Sequence, residues 1–80
     1  MIRAVLFQIK TPQKVVYEGA VKSIRLPSME GIIQILEGHT PLITVLKEGV
    51  IEIEDGPSFK IKGGYAYIQS KNWSVYTPYE

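Results

Sequence analysis

The segment Ile51-Glu52-Ile53-Glu54-Asp55-Gly56-Pro57-Ser58-Phe59-Lys60-Ile61-Lys62 constrains this chain most. Apolar and charged residues alternate on both sides of a turn-forming triplet, Asp55-Gly56-Pro57. A period of two sends successive side chains to opposite faces of a strand, and a helix has no such period. The stretch reads as a β-hairpin with one buried and one solvated face. A three-residue loop puts Ile53 opposite Phe59, Ile51 opposite Ile61 and Glu52 opposite Lys60. Apolar pairs then share one face and opposite charges the other, each pair contributing about 0.2–1 kcal/mol.

The rest of the chain follows the same grammar. Residues 2–10 alternate, with Val5, Phe7 and Ile9 on one face and Ala4 and Leu6 on the other. Thr11-Pro12-Gln13-Lys14 forms a turn, with Pro12 setting its first central dihedral. Val15-Val16-Tyr17 is a short strand closed by Glu18-Gly19, and residues 20–26 make another. Its apolar set Val21, Ile24 and Leu26 changes parity, so a bulge is expected near Lys22-Ser23. Pro27 ends that strand, because it has no ladder donor.

Residues 32–36 are isoleucine-rich and bounded by Gly31 and Gly38, which favours a strand over a helix. Ile33 and Ile35 face the core, and Ile32, Gln34 and Leu36 face away. Residues 42–46 form the next strand, and Glu48-Gly49 turns it into residues 50–54. Gly63-Gly64 marks a bend. Tyr65 and Tyr67 then oppose Ala66 and Ile68, and a last strand sets Trp73 and Val75 against Tyr76. Eight to ten short strands result, with no helical periodicity anywhere. Residues 1–80 are expected to form one all-β domain, an antiparallel β-sandwich.

Composition narrows the function classes. The chain has no cysteine, so thiolate chemistry, disulfides and thiolate metal sites are excluded. Its net charge is +1, from nine scattered basic and eight scattered acidic residues. A nucleic-acid binder carries a basic stripe, because counterion release drives its affinity. No apolar run approaches the ~20 residues of a membrane helix. The N-terminal ten residues are interrupted by Arg3, Gln8 and Lys10 and do not make a signal peptide. A cytoplasmic chain is expected.

Catalytic candidates are few. His39 is the only histidine, and it lies in a loop between Gly38 and Thr40-Pro41. A nucleophilic triad needs a serine and a carboxylate beside it, and no spacing supplies them. Hydrogen bonding to backbone or to a partner is the simpler role. Gly63-Gly64 lacks the spacing and the following helix of a phosphate loop. Glu52 and Glu54 share a face with Lys60 and Lys62, which makes a solvated ion-paired surface. No catalytic residue, metal ligand or cofactor is assigned. Tyr65, Tyr67, Trp73, Tyr76 and Tyr79 could stack bases in a small β-barrel that binds single-stranded nucleic acid. Lys71 is the only interleaved cation, so core packing and sandwich edges explain them better. Met29, Ile32 and Leu36 do not fit the core alternation. Either they meet a partner, or this domain covers both faces of their strand.

The run Glu30-Gly31, Ile35, Gly38-His39-Thr40-Pro41-Leu42, Leu46-Lys47 and Gly49 resembles the signature of the epsilon subunit of F-type ATP synthase. Thr11-Pro12, Tyr17-Glu18-Gly19, Leu26-Pro27, Gly63-Gly64 before an aromatic residue, and Val75 extend the resemblance over nearly the whole chain. It implies a ten-stranded N-terminal β-sandwich that performs no bond chemistry. It also implies a rotor element joining the gamma subunit to the ring of c subunits, peripheral at the cytoplasmic face of the bacterial plasma membrane. By this resemblance Met29, Glu30, Gly31 and Ile32 meet the ring, and Thr11, His39 and Thr44 lie toward gamma. Gly38, Pro41, Gly63 and Gly64 shape turns. No nucleic acid and no membrane insertion are implied. The family's second acid in this turn is Ile32 here, and Gln34 and Glu37 replace a usual glycine and proline. Family members commonly continue into two C-terminal helices that can block hydrolysis. This chain stops at Glu80, so the expectation is a short form, or a piece trimmed to the sandwich, without that means of self-inhibition.

Overall fold

The computed structural model describes residues 4–78. Seven strands follow in order: β1 (Val5–Lys10), β2 (Val15–Val21), β3 (Ser23–Ser28), β4 (Gly31–Leu36), β5 (Leu42–Ile53), β6 (Ser58–Ile68) and β7 (Asn72–Tyr76). No helix occurs among the described residues. The strands form one sheet in the order β2-β1-β7-β6-β5-β3-β4.

Two long strands turn that sheet into a sandwich. In β5 the inward series is Leu42, Thr44 and Leu46, and then Ile51 and Ile53. In β6 it is Phe59 and Ile61, and then Ala66 and Ile68. Each series changes parity midway, at Lys47-Glu48 and at Gly63-Gly64. The two changes lie side by side, because Leu46 pairs with Gly64 and Glu48 with Lys62. A strand keeps one core on its inner side across such a point by bending. Residues 42–46 and 64–68 therefore join β7, β1 and β2 in a first layer. Residues 48–53 and 58–62 join β3 and β4 in a second.

One hydrophobic cluster fills the space between. Val5, Phe7, Ile9, Ala66, Ile68, Trp73 and Val75 enter it from the first layer, and Ile24, Leu26, Ile35, Ile51, Ile53 and Ile61 from the second. Tyr17 closes one side, its ring 6.1 Å from Phe7 and 5.4 Å from Phe59. Each large buried side chain contributes about 1.5–3 kcal/mol. The exposed Arg25–Glu52 pair, 3.7 Å apart, contributes at most ~1 kcal/mol. Packing holds this fold, and surface ion pairs do little.

The all-β class and every inward set of the alternation agree with expectation. Several details differ. Seven strands replace eight to ten, because Glu48-Gly49 and Gly63-Gly64 bend strands without ending them. Residues 15–21 are continuous through Glu18-Gly19, and the expected bulge at Lys22-Ser23 is a corner where β2 gives way to β3. Pro27 lies within β3, opposite Ile32. One pairing, β1 with β7, is parallel. The start of the first strand at Ile2 lies outside the described residues.

The central hairpin is shifted by two residues. Ile51 lies opposite Phe59, Gly49 opposite Ile61 and Val50 opposite Lys60. The loop holds residues 54–57, with Gly56 N–H bonded to the Ile53 carbonyl. A two-residue shift leaves every side chain on its face, so alternation could not detect it. It does change the charge partners. Glu52 faces Arg25, Glu48 faces Lys62, and the Ser23 hydroxyl donates to Glu54 at 2.7 Å.

Gly64 has φ +134°, and a side chain there would collide with the Tyr76 carbonyl oxygen. Gly38 has φ +87° with open space around it. Gly38→Ala should lose about 1–2 kcal/mol, from backbone strain alone. Gly64→Ala should lose more than ~3 kcal/mol, from strain and overlap together. Urea unfolding of both variants measures the difference; equal losses would mean that the approach of β6 to β7 is not tight.

Candidate partner-binding surface

The β3–β4 turn is braced from inside. The Ser28 hydroxyl donates to the Gly31 carbonyl at 2.5 Å and accepts from the Glu30 amide at 3.2 Å. The Met29 amide donates to the Val45 carbonyl at 3.0 Å. Gly31 takes φ +122°, a value that favours glycine. Held this way, the turn exposes Met29 (63%), Glu30 and Ile32 (76%). Leu36, at the far end of β4, is 55% exposed. Ile33 and Ile35 point inward, so the outward apolar set is not covered by its own domain.

Beside this turn lies a larger apolar surface on the first layer. Val45 pairs with Tyr65, and Tyr65 with Tyr76; Ile43 pairs with Tyr67. All point away from the core. Ile43 is 69% exposed and Val45 59%. Tyr65 and Tyr76 stack with ring centroids 5.1 Å apart, and the Lys10 ammonium sits 5.4 Å from the Tyr76 ring. The second layer is different outside, where Arg25, Glu52, Lys60 and Lys62 are exposed. The middle of that outer face is charged, while Val50 and, at its β4 edge, Ile32 and Leu36 are its exposed apolar residues.

The first-layer face is the feature that sequence reasoning missed. Core packing accounts for Trp73, which is buried, whereas Tyr65, Tyr67 and Tyr76 point outward. The signal was present. Ala66 and Ile68 inward require Tyr65 and Tyr67 outward, and Leu42, Thr44 and Leu46 inward require Ile43 and Val45 outward. Tyr79 lies outside the described residues.

Thr11, His39 and Thr44 do not meet. Thr11 caps the β1–β2 turn, its hydroxyl accepting from the amides of Gln13 and Lys14 at 3.3 and 3.2 Å. His39 stands in the β4–β5 loop, its amide bonded to the Leu36 carbonyl and its Nδ1 donating to the Thr40 carbonyl at 2.6 Å. Thr44 is half-buried opposite Ala66. Lys10, Tyr76, Tyr65 and Val45 form one cross-strand row. Thr11 lies beyond that row, while His39 precedes Leu42 at the opposite end of the layer. Gly38 and Pro41 lie within the β4–β5 loop, and Gly63 and Gly64 form the bend in β6.

The surface offers little for bond chemistry. No group of three His, Asp or Glu side chains that could hold a metal exists among the described residues. A groove of about 700 Å³ between β3 and the β5–β6 loop is lined by Ser23, Arg25, Glu52 and Glu54, and these bond to one another. What the fold displays is shape: a stiff turn and an apolar sheet face.

Comparison with known proteins agrees with this architecture. Residues 4–78 match a family model described as ATP synthase, Delta/Epsilon chain, beta-sandwich domain. The ATP synthase epsilon chain of Chlorobium limicola is 37% identical over 67 residues, covering 79% of this chain and 76% of that protein. That of Leptospira interrogans is 36% identical over 70 residues, covering 84% of this chain and 55% of that protein. That of Campylobacter jejuni is 52% identical over 48 residues, which are 60% of this chain and 37% of that protein. The chain thus spans about a third to three quarters of these relatives. A chain in the Euglena gracilis mitochondrial ATP synthase has the same fold, with TM-score 0.83 at 20% identity, covering 98% of this chain and 52% of that one. A second, in the central stalk and c-ring of the Tetrahymena thermophila enzyme, gives 0.76 at 16% identity, covering 94% and 63%. An all-β sandwich with these strand faces, matched over nearly its whole length, makes this chain a member of the ATP synthase delta/epsilon β-sandwich family.

Proposed function

We propose that the chain couples the gamma shaft of an ATP synthase to its ring of c subunits, as a rotor element without catalysis of its own. The observation that carries this reading is the apolar face of Ile43, Val45, Tyr65 and Tyr67, continuous with the braced turn at Met29. A small domain that exposes so much contiguous apolar surface has a partner for it. Gamma takes that face, with Thr11 and His39 at its two ends; Thr44, between Ile43 and Val45, points inward behind the contact. The turn Met29-Glu30-Gly31-Ile32 meets the polar loops of the ring. There Glu30 supplies the charge, and Ile32 supplies apolar contact where family members carry a second acid. The domain works peripherally, on the cytoplasmic side of a bacterial membrane.

Torque transmission asks for stiffness. A sandwich with one packed core and a turn tied by three hydrogen bonds deforms little under load, because packed interiors are barely compressible. A single-strand nucleic-acid module is the rival reading. The aromatic face shows no basic stripe, and the Lys10 ammonium is engaged with Tyr76. Salt-dependent oligonucleotide binding is not expected.

Two experiments test the proposal. Glu30→Lys and Ile32→Asp should each shift stability by less than about 0.5 kcal/mol, since both residues are exposed. Both should lower ATP-driven ion pumping by a complex rebuilt with the variant. Normal pumping in both variants would remove this turn from the mechanism. Separately, Val45→Glu should weaken binding to isolated gamma subunit roughly tenfold or more, about 1.4 kcal/mol. Lys60→Glu, on the charged face, should leave that binding unchanged. Calorimetry reads both, and the reverse ranking would place gamma on the wrong face.

A further inference from the structure

The outer face of the first layer continues past its apolar part. Two cross-strand rows run the width of that layer. One is Ile43, Tyr67, Ser74, Gln8 and Glu18; the other is Val45, Tyr65, Tyr76, Lys10 and Val15. The rows lie two residues apart along each strand, about 7 Å. Both begin apolar on β5 and β6, and the first is polar from β7 onward. Among their side chains only Lys10 and Glu18 are charged at neutral pH, and a neighbour holds each of them. The Gln8 side-chain amide donates to Glu18 Oε2 at 3.1 Å, and the Lys10 ammonium lies 5.4 Å from the Tyr76 ring centre.

We propose that Glu18 receives a basic side chain of gamma, and that Glu18 and Lys10 together fix the register in which gamma lies on this face. That role rests on the proposed function, which gives the face to gamma. An ionised carboxylate only accepts hydrogen bonds, so a group that docks on it must donate. A charged donor binds it roughly twice as strongly as a neutral one. The Gln8 bond keeps the carboxylate on the outward face, in line with Ile43 and Tyr67. Sliding by one row, about 7 Å, would bring the same base beside the Lys10 ammonium instead. The apolar part of the face resists sliding poorly, because apolar contact has no direction. Attraction at one row and repulsion at the next supply the missing register.

Glu18 has a simpler possible use. It sits on β2, which pairs with β1 alone among the described residues, and a charge on an outermost strand discourages pairing with other chains. A lysine serves that purpose as well as an acid does. Reversing the charge at Glu18 therefore leaves an edge guard in place and removes a contact with a base. A charge at the border of an interface acts mainly on the rate of encounter and on its salt dependence, and those are the quantities to measure.

Association of the chain with isolated gamma subunit, followed by surface plasmon resonance at two salt concentrations, is the test. At about 0.1 M salt, where the Debye length is about 10 Å, Glu18→Lys should slow association roughly fivefold, and Glu18→Gln should slow it less. Near 1 M salt, where that length is about 3 Å, both variants should associate like the unaltered chain. Glu52→Lys changes the net charge equally on the other layer's outer face, and should slow association less than about twofold. Glu18 and Glu52 are exposed, and circular dichroism checks that the variants are folded. A Glu18→Lys chain that associates normally overturns the inference, and so does Glu52→Lys slowing association as much. Val45→Glu separates this from the parent reading. If Val45→Glu weakens binding while Glu18→Lys changes nothing, the face is still gamma's and only the role of Glu18 falls. If Val45→Glu also binds normally, both fall.

Discussion

The fold depends on a pair of adjacent bends. Lys47-Glu48 in β5 and Gly63-Gly64 in β6 sit next to each other in one ladder, and each reverses which residues point inward. If only one strand changed parity, its neighbour would bury the wrong side chains past that point. Because both change together, an uninterrupted ladder passes from one layer to the other. The remaining strands add to the halves of this hairpin. The core then follows, since both layers present their apolar face to the same space.

Alternation carried much of the fold. Val5, Phe7 and Ile9, Ile33 and Ile35, Ile51 and Ile53, and Trp73 and Val75 could each be assigned a face by period alone. What it could not supply was anything that preserves period. The two-residue shift of the hairpin is of this kind, because residues 54–57 form a longer loop than the Asp55-Gly56-Pro57 triplet suggested. Strand ends are another case. A glycine pair reads as a break, yet here it lets β6 press against the Tyr76 backbone without ending the ladder. The parallel pairing of β1 with β7 leaves no local trace, since it joins segments more than sixty residues apart.

The candidate surface was half legible. Met29, Ile32 and Leu36 stood out because they violate the core pattern. Ile43, Val45, Tyr65 and Tyr67 obey it, and that concealed them: an apolar residue at an outward position looks like core until its neighbours' faces are known. The contrast with Arg25, Glu52 and Lys60 emerges only when the sandwich is assembled. Thr11, His39 and Thr44 came from family resemblance alone, and the fold spreads them across the first layer.

The place of β7 has a consequence for how this molecule is made. β7 follows the other six described strands in the chain, yet it lies between β1 and β6, in the interior of the sheet. During synthesis, both of those neighbours wait with an open side until residues 72–76 have left the ribosome. Trp73 and Val75 arrive with that strand, so the core also lacks its final layer of contacts until then. A nascent chain held short of this point has two unpaired borders instead of a finished body, and shielding them until the gap closes is a task for the ribosome surface or a chaperone.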